Sequence, residues 1–310
     1  MRYVIQKVSS SIVTLIVIIT LTFILIHSLP GSPFDTGKKI PDAIAKNLNY
    51  KYNLDAPLTE QYFSYLKGLL KGNLGFSMKH DNKTVNSIIR EGFPISALLG
   101  LSSMLIAVTF GMMLGCTAAI YKGKWQDIGI TLFTTIGISI PGFVFGGLLI
   151  QVFAVKLQWL PPAQWEGMNS MILPMVSLAL LPTAIIARLI RSSLIHVLGQ
   201  NYIQTARAKG LSFNMTVIKH GLRNSLFPVI SFLGPATAGI VTGSFIIESI
   251  FNIPGMGKWF VTSVINRDYT VVVGLTIFYS TLLICINILV DVAYTLIDPR
   301  VRLGHRGISR

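Results

Sequence analysis

The chain has 310 residues, of which 52% are hydrophobic and only 12% charged, with a mean hydropathy of +0.63. A soluble domain carries about 25% charged residues, so this composition belongs in a bilayer and excludes an ordinary water-soluble enzyme. The formal charge of +14 would suit nucleic acid. The cations, however, sit in connectors between apolar runs, and no zinc spacing or RNA-binding aromatic motif accompanies them, so that class is set aside.

A hydrocarbon core of about 30 Å needs roughly 20 helical residues to cross it. Six stretches qualify: Val8–Leu29, Pro94–Tyr121, Ile128–Val155, Met171–Ala187, Ser225–Ile247 and Tyr269–Ile297. The first follows Arg2 and Lys7 as a signal peptide would, but it is longer than an h-region. Leu29-Pro-Gly-Ser-Pro33 after it lacks a small-x-small cleavage site, so it reads as a retained span. The fourth is short, at the lower edge for a crossing.

Six crossings put both ends on one side. With the N-terminus inside, Lys and Arg inside number 2 at the N-terminus, 2 at Lys122 and Lys124, 6 across Arg188–Arg223 and 4 in the tail. The short outer connectors hold 3: Lys156, Lys258 and Arg267. The long first connector, 31–93, holds 9 cations against 6 acids and is too long to obey the positive-inside rule. The expectation is an all-α membrane protein with cytoplasmic termini. Its parts are 1–93 (first span and outer connector), 94–297 (five-span core) and 298–310 (tail).

Within the first connector, Leu58, Tyr62, Phe63, Leu66, Leu69 and Leu70 recur at helical spacing and predict a short amphipathic helix. It could lie on the membrane, dock a partner or pack on its own chain. The spans carry Pro141, Pro174, Pro182, Pro228 and Pro235 as potential breaks. Gly111/Gly115, Gly142/Gly146 and Gly239/Gly243 form G-x-x-x-G faces that let helix backbones approach. Cys116 and Cys285 both fall in apolar runs and read as buried thiols without a disulfide.

Ionisable residues in the spans are few. His27 stands near the outer end of the first, and Asp291 near the inner end of the sixth, one turn from Asn287, which predicts a structural polar network of Asn287 and Asp291. No acidic group stands at mid-membrane, as an ion-coupled carrier would require, and no inverted repeat is visible. No G-x-x-x-x-G-K-[ST] occurs. Gly255-Met-Gly-Lys-Trp259 has Trp where the magnesium-binding hydroxyl belongs, so the chain is expected neither to hydrolyse ATP nor to bind a cofactor or metal. It shows no nucleophile–base pairing, and no catalytic residue is expected.

The 36 residues from Arg188 to Arg223 carry six Lys or Arg and no acid. Charge alone would also suit a patch facing anionic lipid headgroups. The order of the residues is more specific. Gln204-Thr205-Ala206-Arg207-Ala208-Lys209-Gly210, followed by His220, Arg223, Asn224 and Pro228, resembles the coupling (EAA) loop of binding-protein-dependent ABC importer permeases. The acidic first position of the general pattern is here Gln204 or Thr205, as in the Ala-Arg-Ala-Lys-Gly form of the peptide and nickel branch. The small Ala206 and Ala208 allow close approach, Gly210 permits a helix-ending reversal, and Arg207, Lys209, Lys219 and Arg223 offer charge.

Further motifs of that branch follow in order along the chain: Leu29–Pro33, Leu54–Leu58 with Gln61-Tyr62, Lys71–Gly75, Leu160-Pro161, Arg188 with Arg191, Gly243–Glu248, Pro254-Gly255, Arg267–Tyr269 and Asp298–Arg300. Gly31–Phe34, Gln61–Lys67 and Leu233–Pro235 lean toward its oligopeptide members. The resemblance implies the type I ABC importer permease fold and no ATPase activity in this chain. It also implies a second permease, two ATPase subunits that hold ATP and magnesium, and a periplasmic peptide-binding protein. Glu248, Pro254 and Gly255 would then face that binding protein as a gate or docking segment, or form a structural turn. The implied cargo is oligopeptides, with dipeptides, nickel chelates, glutathione or murein peptides as the alternative in the same architecture.

Overall fold

The computed structural model of the chain describes residues 2–28, 34, 50, 52–163 and 165–297, and the side chains there apart from those of 2–5, 8 and 291–297. The motifs Leu29–Pro33 and Asp298–Arg300 lie outside the described residues. The described residues form helices: α1 (Arg2–His27), α2 (Leu58–Leu70), α3 (Val85–Ile120), α4 (Trp125–Ser139), α5 (Gly142–Leu149, extended by a π-helical stretch Ile150–Lys156), α6 (Asn169–Leu198), α7 (Asn201–Ala208), α8 (Phe227–Val241), α9 (Phe245–Ile250), α10 (Met256–Ile265) and α11 (Tyr269–Ile297). Among the described residues five spans are long and apolar enough to cross a membrane: Ser9–His27, Val85–Ile120, Asn169–Leu198, Phe227–Ile250 and Tyr269–Val290. A sixth exists if α4 and α5 count as one broken span, bent by 104°.

The bend divides the third expected span at Pro141, one of the potential breaks in the sequence. Ile140 is extended (ψ 121°) and Pro141 takes φ −58°, ψ 135°. Proline offers no N–H and forces its predecessor out of the helical region, so the helix stops there. The other in-span prolines break nothing: Pro174 and Pro182 lie inside α6, Pro235 lies inside α8, and Pro228 sits in the first turn of α8. The fourth span is also longer than expected. It runs 30 residues and carries Arg188, Arg191 and His196 within one helix, so the first third of the cationic connector continues the span.

The chain divides into two compact units, one from Met1–Ser96 and Pro254–Ile284, the other from Ala97–Ile253 and Cys285–Arg310. In the first unit, Ile19 and Ile26 of α1 form a core with Tyr269, Val272, Val273 and Ile277 of α11. The amphipathic helix α2 packs its Tyr62, Tyr65, Leu66 and Leu69 against that core, and the Thr20 and Tyr62 hydroxyls meet at 2.7 Å. Leu58, Phe63 and Leu70 stay exposed.

Asp268 ties this unit's loops to its last helix. Its carboxylate is buried (1% exposed) and accepts hydrogen bonds from the Ser77 hydroxyl, from the Met78 N–H at 3.1 Å and from the Val271 N–H at 3.4 Å. The last of these caps the first turn of α11. Arg267 just before it holds φ +58°, which turns the chain out of α10. Asp268→Ala would leave buried donors without a partner, each costing about 1–3 kcal/mol. The purified protein should therefore melt several degrees lower, as measured by thermal unfolding in detergent.

In the second unit, α6 is the axis. In its most apolar window 61% of residues are buried inside the chain, against 33% or less for the other spans. Helix α3 presses onto it through glycine. A Cβ at Gly111 would lie 2.8 Å from Ile186 Cβ, and one at Gly115 would lie 2.6 Å from the Ala187 carbonyl. A Cβ at Gly146 would likewise lie 3.2 Å from Ser177 Oγ of α6. The third glycine pair has another role: Gly239 has open space around it, and Gly243 ends its helix with φ +98°. Gly115→Val should thus force α3 off α6 and cost about 1–3 kcal/mol or more, whereas Gly239→Ala should leave the melting temperature unchanged. Comparable melting of both variants would show that the close contact does not hold the unit.

Candidate functional site, the coupling segment

Beyond Leu198 the chain turns at Gly199 and Gln200 and enters α7. Ile203 is the one buried residue of α7, at 3% exposure. Gln204, Thr205, Arg207, Ala208, Lys209 and Gly210 are exposed and Ala206 is half-buried, so the residues singled out by the motif form a continuous outer surface. The end of α7 is held by paired backbone bonds: Leu211 N–H donates to Ala206 O (3.3 Å) and Gly210 N–H to Arg207 O (2.9 Å). This 6→1 and 5→2 pattern needs a left-handed residue at its penultimate position. Gly210 supplies it with φ +89°.

Ser212 then caps the next turn, Phe213–Thr216, accepting the Met215 N–H at 3.4 Å. A π-helical stretch, Val217–Leu222, leads through Arg223–Ser225 into α8. The Arg207 guanidinium lies 5.7 Å from the Phe213 ring centre, and Asn224 Nδ2 donates to the Tyr202 hydroxyl at 3.0 Å and to His220 O at 3.2 Å. These contacts fold the segment back on itself. His220 is half-buried and Arg223 exposed. Val217 packs with Leu194 of α6 and Ala119 of α3, and Gly221 lets the π turn close on α6, since a Cβ there would meet Leu194 Cδ1 at 2.9 Å.

Sequence reasoning missed two features, one on the segment and one beside it. The first is apolar: Tyr202, Met215 and Ile218 are 43%, 50% and 64% exposed among the cations. Apolar side chains in a cationic connector were a visible signal. The second is ionic. Asp127 of α4 is 4% exposed and takes Arg191 of α6 in a two-point fork, Nε to Oδ1 at 2.5 Å and Nη2 to Oδ2 at 2.8 Å. The Gly123 N–H adds a third donor at 2.9 Å. One turn earlier, Arg188 donates to the Thr135 hydroxyl at 2.7 Å and the Thr134 hydroxyl at 3.3 Å. The sequence motif had paired Arg188 with Arg191 without an acid to receive them.

Among the outer candidates, the Glu248 carbonyl accepts the Ile253 N–H at 2.8 Å. Glu248 of α9 is fully buried and offers no surface to a soluble partner. Pro254 and Gly255 belong to the other unit. Pro254 is exposed, while Gly255 is buried where Gly92 of α3 approaches it closely, and the adjacent Met256 N–H donates to Ser96 Oγ at 2.9 Å. Asn287 is half-buried, but the Asp291 side chain lies outside the described residues, and with it the expected polar pair.

A family model described as "Binding-protein-dependent transport system inner membrane component" matches residues 107–303, and the model for the N-terminal part of the same membrane component matches 1–99. The chain belongs to this family. It is a multi-pass component of the inner membrane. It is 48% identical to the dipeptide transport system permease protein DppB of Bacillus subtilis over 99% of both chains. It is 43% identical to the oligopeptide transport system permease protein OppB of Salmonella typhimurium and 42% to that of Haemophilus influenzae, over 97% of this chain and 99% of each relative. An inward-facing structure of the MetNI methionine ABC transporter shares the fold, with a TM-score of 0.57 at 16% identity over 68% of this chain and 96% of that one. The expected type I permease fold and the peptide branch are therefore both met.

The left-handed turn gives a direct test of how the end of α7 is held. Gly210 has no atom within 4 Å of a would-be Cβ, so alanine there suffers only the backbone penalty, about 1 kcal/mol. Gly210→Ala should speed amide exchange at Gly210 and Leu211 about fivefold, and Gly210→Asn should do so less. Exchange equal to wild type would show that the paired backbone bonds do not hold this turn.

Proposed function

We propose that this chain forms one half of the translocation path of an ATP-driven importer carrying oligopeptides from periplasm to cytoplasm. Its partners are a second, OppC-like permease, two ATPase subunits of OppD and OppF type that hold ATP and magnesium, and an OppA-like periplasmic peptide-binding protein. Both termini and the α7 segment lie on the cytoplasmic side, in keeping with the 14 cations counted inside against 3 in the short outer connectors. The observation that carries the reading is α7 itself. With the turn that ends it, α7 exposes six of the seven motif residues from Gln204 to Gly210, Ala206 being half-buried, beside apolar side chains that water would not leave bare. An ATPase groove would cover both, and closure of the ATPase pair would push the permease through this contact. Hydrolysis belongs to those partners.

Dipeptides are the second reading of the cargo, favoured by the 48% identity to a dipeptide permease. Isolating the ligand held by the cognate binding protein separates the two: tripeptides and longer chains support the first, dipeptides the second. For the coupling itself, Gly210→Glu should abolish uptake while leaving the protein in the membrane at normal level. ATP hydrolysis by the wild-type complex in proteoliposomes should rise when loaded binding protein is added. Normal uptake by the Gly210→Glu complex, or gradient-driven transport by this chain alone, would refute the reading.

A further inference from the structure

The coupling segment touches α6 at Leu194, where Val217 and Gly221 pack. One and two turns earlier on the same helix stand Arg191 and Arg188, and both reach across to α4: Arg191 to Asp127, Arg188 to Thr134 and Thr135. Helix α4 runs from there to the 104° break at Ile140–Pro141. A continuous set of contacts therefore leads from the coupling segment through α6 and the two arginines into α4 and up to the bend.

The chemistry of the tie is unlike the rest of the helix contacts. Between apolar helices in lipid no hydrophobic force opposes sliding, and register is held by packing and polar contacts. A guanidinium fork on a carboxylate fixes both distance and rotation because its two N–H···O bonds are parallel. Here the carboxylate is further pinned by the Gly123 N–H, and the second arginine adds two hydroxyls a turn or more along the same α4. Single bonds would let α4 roll about its axis, whereas four arginine bonds spread over Asp127, Thr134 and Thr135 do not.

We propose that Asp127 and Arg191, supported by Arg188, are positioning residues that make α4 move with the coupling segment as one body, so that partner closure reaches the Pro141 bend. This rests on the reading of α7 as the ATPase contact.

The test uses the complete complex in proteoliposomes, with basal ATP hydrolysis, hydrolysis stimulated by loaded binding protein, and peptide uptake measured side by side. Asp127→Asn keeps the shape and removes the charge; Asp127→Glu keeps the charge. With Asp127→Asn, basal hydrolysis should stay within about twofold of wild type, while stimulation and uptake fall at least about fivefold, the range of an allosteric coupling term. Asp127→Glu should recover much of the loss. Stimulation equal to wild type in Asp127→Asn would overturn the proposal, as would a parallel fall of assembly, basal and stimulated rates, the mark of a tie that only holds the fold. Should Asp127→Asn fail to assemble, Arg191→Lys, which keeps the charge but cannot fork, decides on the same readouts. Failure of both to assemble assigns the pair to folding alone and also overturns it. Loss of uptake in Gly210→Glu with wild-type behaviour in Asp127→Asn sinks this proposal and spares the coupling reading; normal uptake in Gly210→Glu sinks both.

Discussion

Close approach of backbones around α6 is the constraint on which the second unit rests. Gly111 and Gly115 bring α3 to within van der Waals contact of Ile186, Ala187 and Ile190, and Ala184 meets Gly137 of α4 in the same manner. In lipid the tails are as apolar as leucine, so helices gain from association mainly where small residues let many atoms meet. A helix enclosed this way cannot tilt or turn without separating its neighbours. It is also long: 30 residues make about 45 Å, against a hydrocarbon thickness of about 30 Å. The surplus is at least two turns, and Arg188, Arg191 and His196 all fall near its C-terminal end. Charged side chains are tolerated there because Asp127, Thr134 and Thr135 receive the two guanidinium groups.

Much of this was legible from residues alone, and the parts that were not share a physical reason. Apolar runs located the spans because a crossing needs continuous hydrophobicity. The Gly210 reversal was legible because a left-handed turn at a helix end has few substitutes for glycine. The end of the fourth span was misplaced at Ala187, since a span is read as stopping at the first charge, and whether a charge stops a helix depends on a partner elsewhere. The partners, Thr134 and Thr135 for Arg188 and Asp127 for Arg191, lie 53 to 64 residues away on α4, and neither local periodicity nor spacing points to them. The prolines show the same limit. Pro141 breaks its helix while Pro174, Pro182 and Pro235 are carried inside theirs, because tertiary packing decides what the ring's missing N–H will cost. The glycine pairs shared one pattern, yet Gly111/Gly115 meets a neighbouring backbone and Gly239 meets nothing.

Several residues that marked the family outside the coupling segment prove to be backbone fasteners. Gln61 Nε2 donates to the Leu54 and Ala56 carbonyls. Asn73 Oδ1 accepts the Gly75 N–H, and Asp268 gathers Ser77, Met78 and the first turn of α11. Each ends or redirects the chain in the first unit, where loops join helices and backbone donors would otherwise stand unpaired. A side chain engaged with its own backbone has little left with which to sort one peptide from another. The chain resembles dipeptide and oligopeptide permeases alike, at 48% and 43% identity over nearly full length. Discrimination of cargo must then fall to side chains outside these fasteners, or to the binding protein that delivers it.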